Sequence, residues 1–174
     1  KYNIQKVGVA GHPEGSPDIS DNLIIDSLKR KYEWSLKTGI PIYIETQFLF
    51  EAKPVLNWEK SIRSQGMKIP VRIGVPGPAT IKTLFQFAKS SGIGPSMRMI
   101  TNQAKNISKL FIVQAPDKYI YDLAYGVQND KECSIEHLHF YPFGGFKKTA
   151  FWASSLEQGE FFLNDKGGFK INES

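Results

Sequence analysis

The chain has 174 residues, 41% of them hydrophobic and 13% aromatic, with 22% charged residues of both signs and a formal net charge of +5. That composition supports one compact core and excludes a disordered or fibrous chain. No apolar run approaches the roughly 18–20 residues of a membrane span, and the polar opening Lys1–Lys6 does not read as a signal peptide, so no membrane association is expected.

A single cysteine, Cys133, can form no intramolecular disulfide and gives no ligand cluster for a metal. The expectation is a reducing, cytoplasmic setting and no metal. The densest basic run, Lys29-Arg30-Lys31, falls inside a predicted helix. Nucleic-acid surfaces are broader basic stripes interleaved with aromatics, so no nucleic acid is expected. Anionic small molecules suit a scattered basic excess as well.

Val7-Gly8-Val9-Ala10 is a short apolar strand stopped by Gly11-His12-Pro13. Asp21 to Thr38 reads as an amphipathic helix, with Ile25, Leu28, Tyr32 and Leu36 three or four apart. Ser20 or Asp21 can cap it, and Gly39 follows its end. Ile42 to Gln47 is a β-rich strand. Pro54 to Gln65 is a second helix, carrying Val55, Trp58 and Ile62 and followed by Gly66. Val71 to Val75 is the third strand, broken by Pro76-Gly77-Pro78. Ala79 to Ser90 is a helix with Ile81, Leu84, Phe85 and Ala88 on one face, ended by Gly92. Further helix is expected over 95–113 and then over Asp117 to Gln128, with Tyr121, Leu123, Ala124 and Val127. Ile135 to Phe143 alternates as a strand closed by Gly144-Gly145, and Phe146 to Glu157 returns to helix. Two units are expected: a domain over 1–157 and an irregular or loosely docked tail over 158–174.

Strand and helix thus alternate four times, with one helical insertion before the last strand. Such alternation predicts an α/β fold with a parallel sheet, either doubly wound or a (β/α)8 barrel of the TIM type. A full barrel needs about 250 residues, so four β/α units would supply half of one. Both architectures place functional groups at the C-terminal ends of the strands.

Those ends are rich in glycine turns and polar groups, as loops often are. Four of the segments nevertheless follow a specific order. Val9-Ala10-Gly11-His12-Pro13-Glu14-Gly15, Leu28-Lys29-Arg30-Lys31, Thr46-Gln47-Phe48-Leu49-Phe50 and the strand ending His139-Phe140-Tyr141 resemble the second half of the methylenetetrahydrofolate reductase family. Gly74 to Phe87 and Gly92 to Met97 resemble a branch of that family found in some bacteria. The resemblance runs from Val7 to Ser154.

What the resemblance implies is half of a barrel flavoenzyme: FAD held non-covalently, NADH or NADPH as reductant, and a tetrahydrofolate derivative as substrate. It implies 5,10-methylenetetrahydrofolate and 5-methyltetrahydrofolate as the interconverted pair. It assigns His12, Gly15, Ser16, Asp18, Arg30 and Lys31 to the cofactor, the last two on its pyrophosphate side. Glycines let backbone approach a ligand, while Ser16 and Asp18 suit ribityl and ribose hydroxyls. A solvated helix face is the plain alternative for the two cations.

The resemblance assigns Gln47, Thr83 and Phe87 to the substrate. The Gln47 amide both donates and accepts, which suits the mixed edge of a pterin. Thr80, Thr83 and Phe87 form a helical stripe separate from the core stripe, and Phe87 reads either as a stacking platform or as core. His137 and His139 point the same way on their strand, without a third metal ligand, and packing or hydrogen bonding is the expected role.

Two departures from the family stand out. Glycine, Gly145, occupies the place of an arginine that helps hold the folate, and Lys147 or Lys148 lacks the fork geometry to replace it. The family's acid and flavin-side carboxylates belong to its first four strands, so the catalytic residues are expected outside the matched half. A fragment of a longer enzyme, a half that pairs with another half, and a non-catalytic binding module all remain open. The first is the expectation, with a homo-oligomer as the assembled form.

Overall fold

β-Branched and apolar segments punctuated by Gly and Pro become a parallel sheet when helices bury one of its faces. The computed structural model describes residues 3–91, 109–165 and 167–172. In chain order its elements are β1 (Val7–Gly11), α1 (Asp21–Thr38), β2 (Ile42–Phe48), α2 (Ala52–Ser64), β3 (Val71–Pro76), β4 (Ala79–Thr80) and α3 (Ile81–Ser90). There follow β5 (Val113–Gln114), α4 (Asp117–Gln128), β6 (Ile135–Tyr141), α5 (Phe146–Glu157), β7 (Phe161–Asn164) and β8 (Gly168–Ile171). The main sheet has four parallel strands in the order β1-β2-β3-β6, as the alternation predicts. Each strand of this sheet lies beside the previous one, with α1 between β1 and β2, α2 between β2 and β3, and β4, α3, β5 and α4 between β3 and β6.

Side chains on the two faces of this sheet have different fates. Ile42 and Ile44 of β2 and Val71, Ile73 and Val75 of β3 are buried with Leu28 of α1, Val55 and Ile62 of α2, Ile120 and Leu123 of α4, and Trp152 of α5. The alternate residues of β2, Tyr43, Glu45 and Gln47, are only half-buried. Arg72 shares their face: its guanidinium lies 3.9 Å from the Tyr43 ring centroid and 3.5 Å from Glu45 Oε1. Register carries this face onto β6, where His137 pairs with Arg72 and His139 with Gly74. Each buried Leu, Ile or Val on the helix side contributes about 1.5–3 kcal/mol, so the core lies between helices and sheet.

Local chemistry sets most element ends. Gly39 terminates α1 at φ 70°, donating its N–H to the Ser35 carbonyl at 3.0 Å. The expected stripe of α1 is buried only in part: Leu28 is covered, but Leu36 is 67% exposed. This helix lies over β1 and β2, and β1 is an edge strand of the sheet. The third helix starts at Ile81 rather than Ala79, because the Thr80 hydroxyl caps it by accepting the Thr83 N–H at 3.2 Å. Ala79 and Thr80 pair instead with Gln114 and Val113. Of the helix expected over 95–113, residues 95–108 lie outside the described residues, as do the Gly92 stop and the Gly92–Met97 match.

The irregular tail expected over 158–174 is corrected. Phe161–Asn164 and Gly168–Ile171 form an antiparallel hairpin, with the Gly167 N–H donating to the Asn164 carbonyl at 3.3 Å. In the second strand Phe169 and Ile171 alternate with exposed Lys170, a period of two that outweighs the Gly and Asn content. Phe169 is 3% exposed, with its ring 6.0 Å from Trp152 and 5.2 Å from Phe161. Asp117 joins the pieces: one carboxylate oxygen accepts from Trp152 Nε1 at 3.0 Å and the other from Lys170 Nζ at 2.8 Å.

Candidate functional site

The C-terminal end of β2 meets β3 and β6 at Thr46, whose hydroxyl accepts the Gly74 N–H and whose carbonyl accepts the Tyr141 hydroxyl. β2 departs from regular pairing between Glu45, which pairs with Arg72, and Phe48, which pairs with Gly74, so Thr46 and Gln47 together span the single residue Ile73 of β3 as a β-bulge. Bulges re-aim a side chain beside a site. Gln47 is half-buried, and among the described residues its amide makes no hydrogen bond. Both its donor and its acceptor are therefore available to a ligand.

Aromatic rings cluster at the same strand ends, where the Tyr141 phenol donates to the Thr46 carbonyl at 3.1 Å. Phe87 of α3 stacks on Phe143 at 4.2 Å with 18° between ring planes, and Phe143 lies 4.7 Å from Phe48 and 5.7 Å from Tyr141. His139 stands edge-on to Tyr141 at 5.0 Å. Phe87 is 41% exposed, so it belongs to a surface platform rather than to the interior. Thr83, on the same helix, shares its hydroxyl with Thr80 at 2.9 Å in the cap. The Tyr141 phenol is pushed up from its ordinary pKa by burial and by the Glu45 carboxylate, and it stays protonated as a hydrogen-bond donor.

The first strand end forms a second group. Gly11 pairs with Thr46, which puts the loop beginning at His12 beside the Gln47 strand. The loop turns tightly: the Gly15 N–H donates to the His12 carbonyl at 3.0 Å, with Gly15 at φ 74°, where glycine is favoured. Ser16 accepts the Asp18 N–H at 3.4 Å, and Asp18 is exposed. His12 and Gly15 line a cleft of about 580 Å³ with Trp58, Asn57 and Asn22. Burial and the Lys31 ammonium hold the His12 imidazole below its ordinary pKa. Arg30 and Lys31 are exposed and flank a shallow groove of about 340 Å³ floored by Val7, Val9 and Ile42 and walled by Trp34. Arg30 and Lys31 thus belong to α1 beside β1, whereas Gln47 lies on β2, Phe87 reaches the ends of β2 and β6 through Phe143, and Thr83 is engaged in the cap with Thr80.

Gly145 adopts φ 106°, in the region that favours glycine, and precedes α5. Lys147 and Lys148 are exposed on that helix. Among the described residues no group of three or more His, Cys, Asp and Glu is placed to hold a metal, and no helix is long and apolar enough to cross a membrane. Sequence reasoning missed Phe143, read only as the end of a strand, and Trp34 and Trp58, the last read only as part of a core stripe. The run of Phe and Tyr over 140–146 was the available signal for the first. No protein-family model matches the chain.

Proposed function

We propose that this chain supplies the last four β/α units of a (β/α)8-barrel flavoenzyme similar to methylenetetrahydrofolate reductase. In this reading it holds FAD, takes reducing equivalents from NADH or NADPH, and interconverts 5,10-methylenetetrahydrofolate and 5-methyltetrahydrofolate. The observation that carries the reading is Gln47: a half-buried amide with no hydrogen bond among the described residues, on a bulge at the strand ends, where Phe87, Phe143, Phe48 and Tyr141 also form a ring cluster. The sheet supports the same reading, because β1 and β6 are its two edges and its core packs with α1, α2, α4 and α5 on one face.

The residues present suit the cofactor. Arg30 and Lys31 offer charge-assisted donors to a pyrophosphate, and the His12–Gly15 turn lets backbone approach a ligand closely. Bound flavin supplies the hydride chemistry. The chain's own part is to bind and orient: Gln47 pairs with the pterin edge, Phe87 and Phe143 offer ring faces, and protonated Tyr141 stiffens the bulge.

Replacing Gln47 with Leu removes the pterin bonds at similar volume and leaves the ligand's buried polar groups unpaired. Such a loss costs about 1–3 kcal/mol, roughly 5- to 150-fold in folate affinity. Stopped-flow on the full-length protein should show the folate half-reaction slowed and flavin reduction by the nicotinamide spared. A full-length protein that purifies colourless and ignores added FAD sinks the reading. The open edges favour one second reading, a non-catalytic half-barrel that self-associates through β1 and β6. Apparent mass in dilute solution separates the two when combined with flavin content.

A further inference from the structure

The bulge in β2 is held by side-chain and backbone contacts that no regular ladder requires. Thr46 is 1% exposed, and its hydroxyl accepts the Gly74 N–H at 2.8 Å while donating to the Gln47 carbonyl at 2.8 Å. That hydroxyl stands where a backbone carbonyl would have closed the sheet hydrogen bond. On the other side, the Tyr141 phenol donates to the Thr46 carbonyl at 3.1 Å. Gly74 completes the arrangement: a Cβ there would lie 2.3 Å from the Gln47 carbonyl oxygen and 2.7 Å from that of Thr46. No side chain other than hydrogen fits without moving the bulge. Below it the ladder resumes, with the Leu49 N–H donating to the Gly74 carbonyl at 3.2 Å.

We infer that Thr46, with Tyr141 and Gly74, is the positioning device that fixes the direction of the Gln47 amide. The inference rests on the reading of Gln47 as the pterin-binding group and deepens it. A bulge adds one unpaired residue and leaves a stretch of backbone with fewer ladder bonds. Without further restraint the peptide between Thr46 and Gln47 would sample several orientations, and its side chain would swing with it. A buried hydroxyl bonded on both sides removes that freedom in advance, so the ordering cost is not incurred when ligand arrives. Valine at position 46 keeps the shape and removes both hydroxyl bonds, whereas serine keeps the hydroxyl. Phenylalanine at position 141 removes only the phenol that holds the Thr46 carbonyl from outside.

The experiment uses the full-length protein and follows the two half-reactions separately, flavin reduction by the nicotinamide and reoxidation by methylenetetrahydrofolate. Thr46→Val should slow reoxidation on the order of 10- to 100-fold, the effect of a misaimed group, and leave flavin reduction within about 2-fold. Thr46→Ser should restore most of the loss, and Tyr141→Phe should show the same split more weakly. Gln47→Leu runs alongside as the control. If Gln47→Leu slows reoxidation but Thr46→Val and Tyr141→Phe behave as wild type, the positioning role is wrong while the site stands. If Gln47→Leu is without effect, the site reading fails and the inference falls with it. A Thr46→Val protein in which both half-reactions fall together, unrescued by serine, assigns Thr46 to the fold alone and overturns the inference. Should Thr46→Val not fold, Tyr141→Phe decides, since it removes one oxygen from a half-buried ring.

Discussion

Asp117→Ala is the sharpest test of how the last third of the chain is held. Asp117 is 6% exposed and opens α4, Trp152 is 5% exposed, and the Lys170 side chain remains 64% exposed. The two bonds to the carboxylate therefore have unequal weight. The exposed lysine pair contributes at most about 1 kcal/mol, because water screens it and the long side chain loses entropy. The indole bond to a buried carboxylate contributes about 1.5–3 kcal/mol, and its removal leaves a buried N–H without a partner. An acid in the first turn of α4 adds about 0.3–1 kcal/mol through the helix dipole. Alanine should then cost about 2–4 kcal/mol. Asparagine, which keeps an acceptor for Trp152 but loses the charge, should cost about 1–2 kcal/mol. Urea unfolding followed by tryptophan fluorescence reads this out: at an m-value near 2 kcal/mol/M, alanine lowers the midpoint by about 1–2 M. A cycle with Trp152→Phe should return a coupling of about 1–2 kcal/mol. Alanine costing no more than asparagine, or a coupling near zero, would refute the ranking of the indole bond over the lysine pair.

Phe87→Leu should cost stability by only about 1–2 kcal/mol, mainly the lost stack on Phe143, while weakening folate binding more; a melt lowered as for a core phenylalanine, about 3–5 kcal/mol, with folate binding intact, assigns Phe87 to the core instead. In Lys31→Ala the His12 imidazole should titrate at higher pH by NMR, since one of the two influences depressing it is gone, and an unchanged or lower value removes Lys31 from its neighbourhood. The sign for stability follows from the same depression. As pH falls through about 6.5 the unfolded chain takes up this proton first, so stability is lost on acidification and the contribution vanishes above that value. At Gly145 both Ala and Arg should destabilise by roughly 1–3 kcal/mol, because the cost lies in forcing φ 106° on a Cβ and no neighbour lies within 4 Å; a tolerated Arg with tighter folate binding would show that the loop has moved to meet the ligand.

The main elements were legible because each carried a local signal, although in α1 the apolar stripe is covered only in part. α1 runs over the residues expected between Asp21 and Gly39, and α4 and α5 match as closely. Two kinds of feature were not legible. The hairpin over Phe161–Asn164 and Gly168–Ile171 was hidden by Gly and Asn content, and it is held by tertiary contacts, Phe169 against Trp152 and Lys170 with Asp117, that no local pattern announces. The bulge at Thr46 was equally invisible. Thr-Gln at a strand end reads as regular β until Gly74 and Tyr141, 28 and 95 residues away from Thr46, are brought against it. Gln47 is singled out in the sequence by a resemblance, but the contacts that hold its bulge are not.

One network of satisfied charges and the available amide of Gln47 lie at opposite ends of the sheet. At the N-terminal ends of the strands, buried Glu59 accepts from Arg63 at 3.0 Å and from the Ser134 N–H at 3.0 Å, and Arg63 reaches on to Asp130 and Glu132. Four charges and a backbone donor satisfy one another there, tying α2 to the turn before β6. Breaking such a network by deleting a buried member is costly, because the remaining charges keep their desolvation without their partners. At the C-terminal ends the priorities reverse: an interrupted ladder, a glycine that tolerates no Cβ, a half-exposed aromatic platform and an amide with no bond among the described residues. Rigid support at one end permits local irregularity at the other, where α/β sheets place their ligands. Glu59 substitutions should therefore act on stability, and Thr46 and Gln47 substitutions on the ligand. A molecule in which both sets moved stability alone would have no site at that end of the sheet.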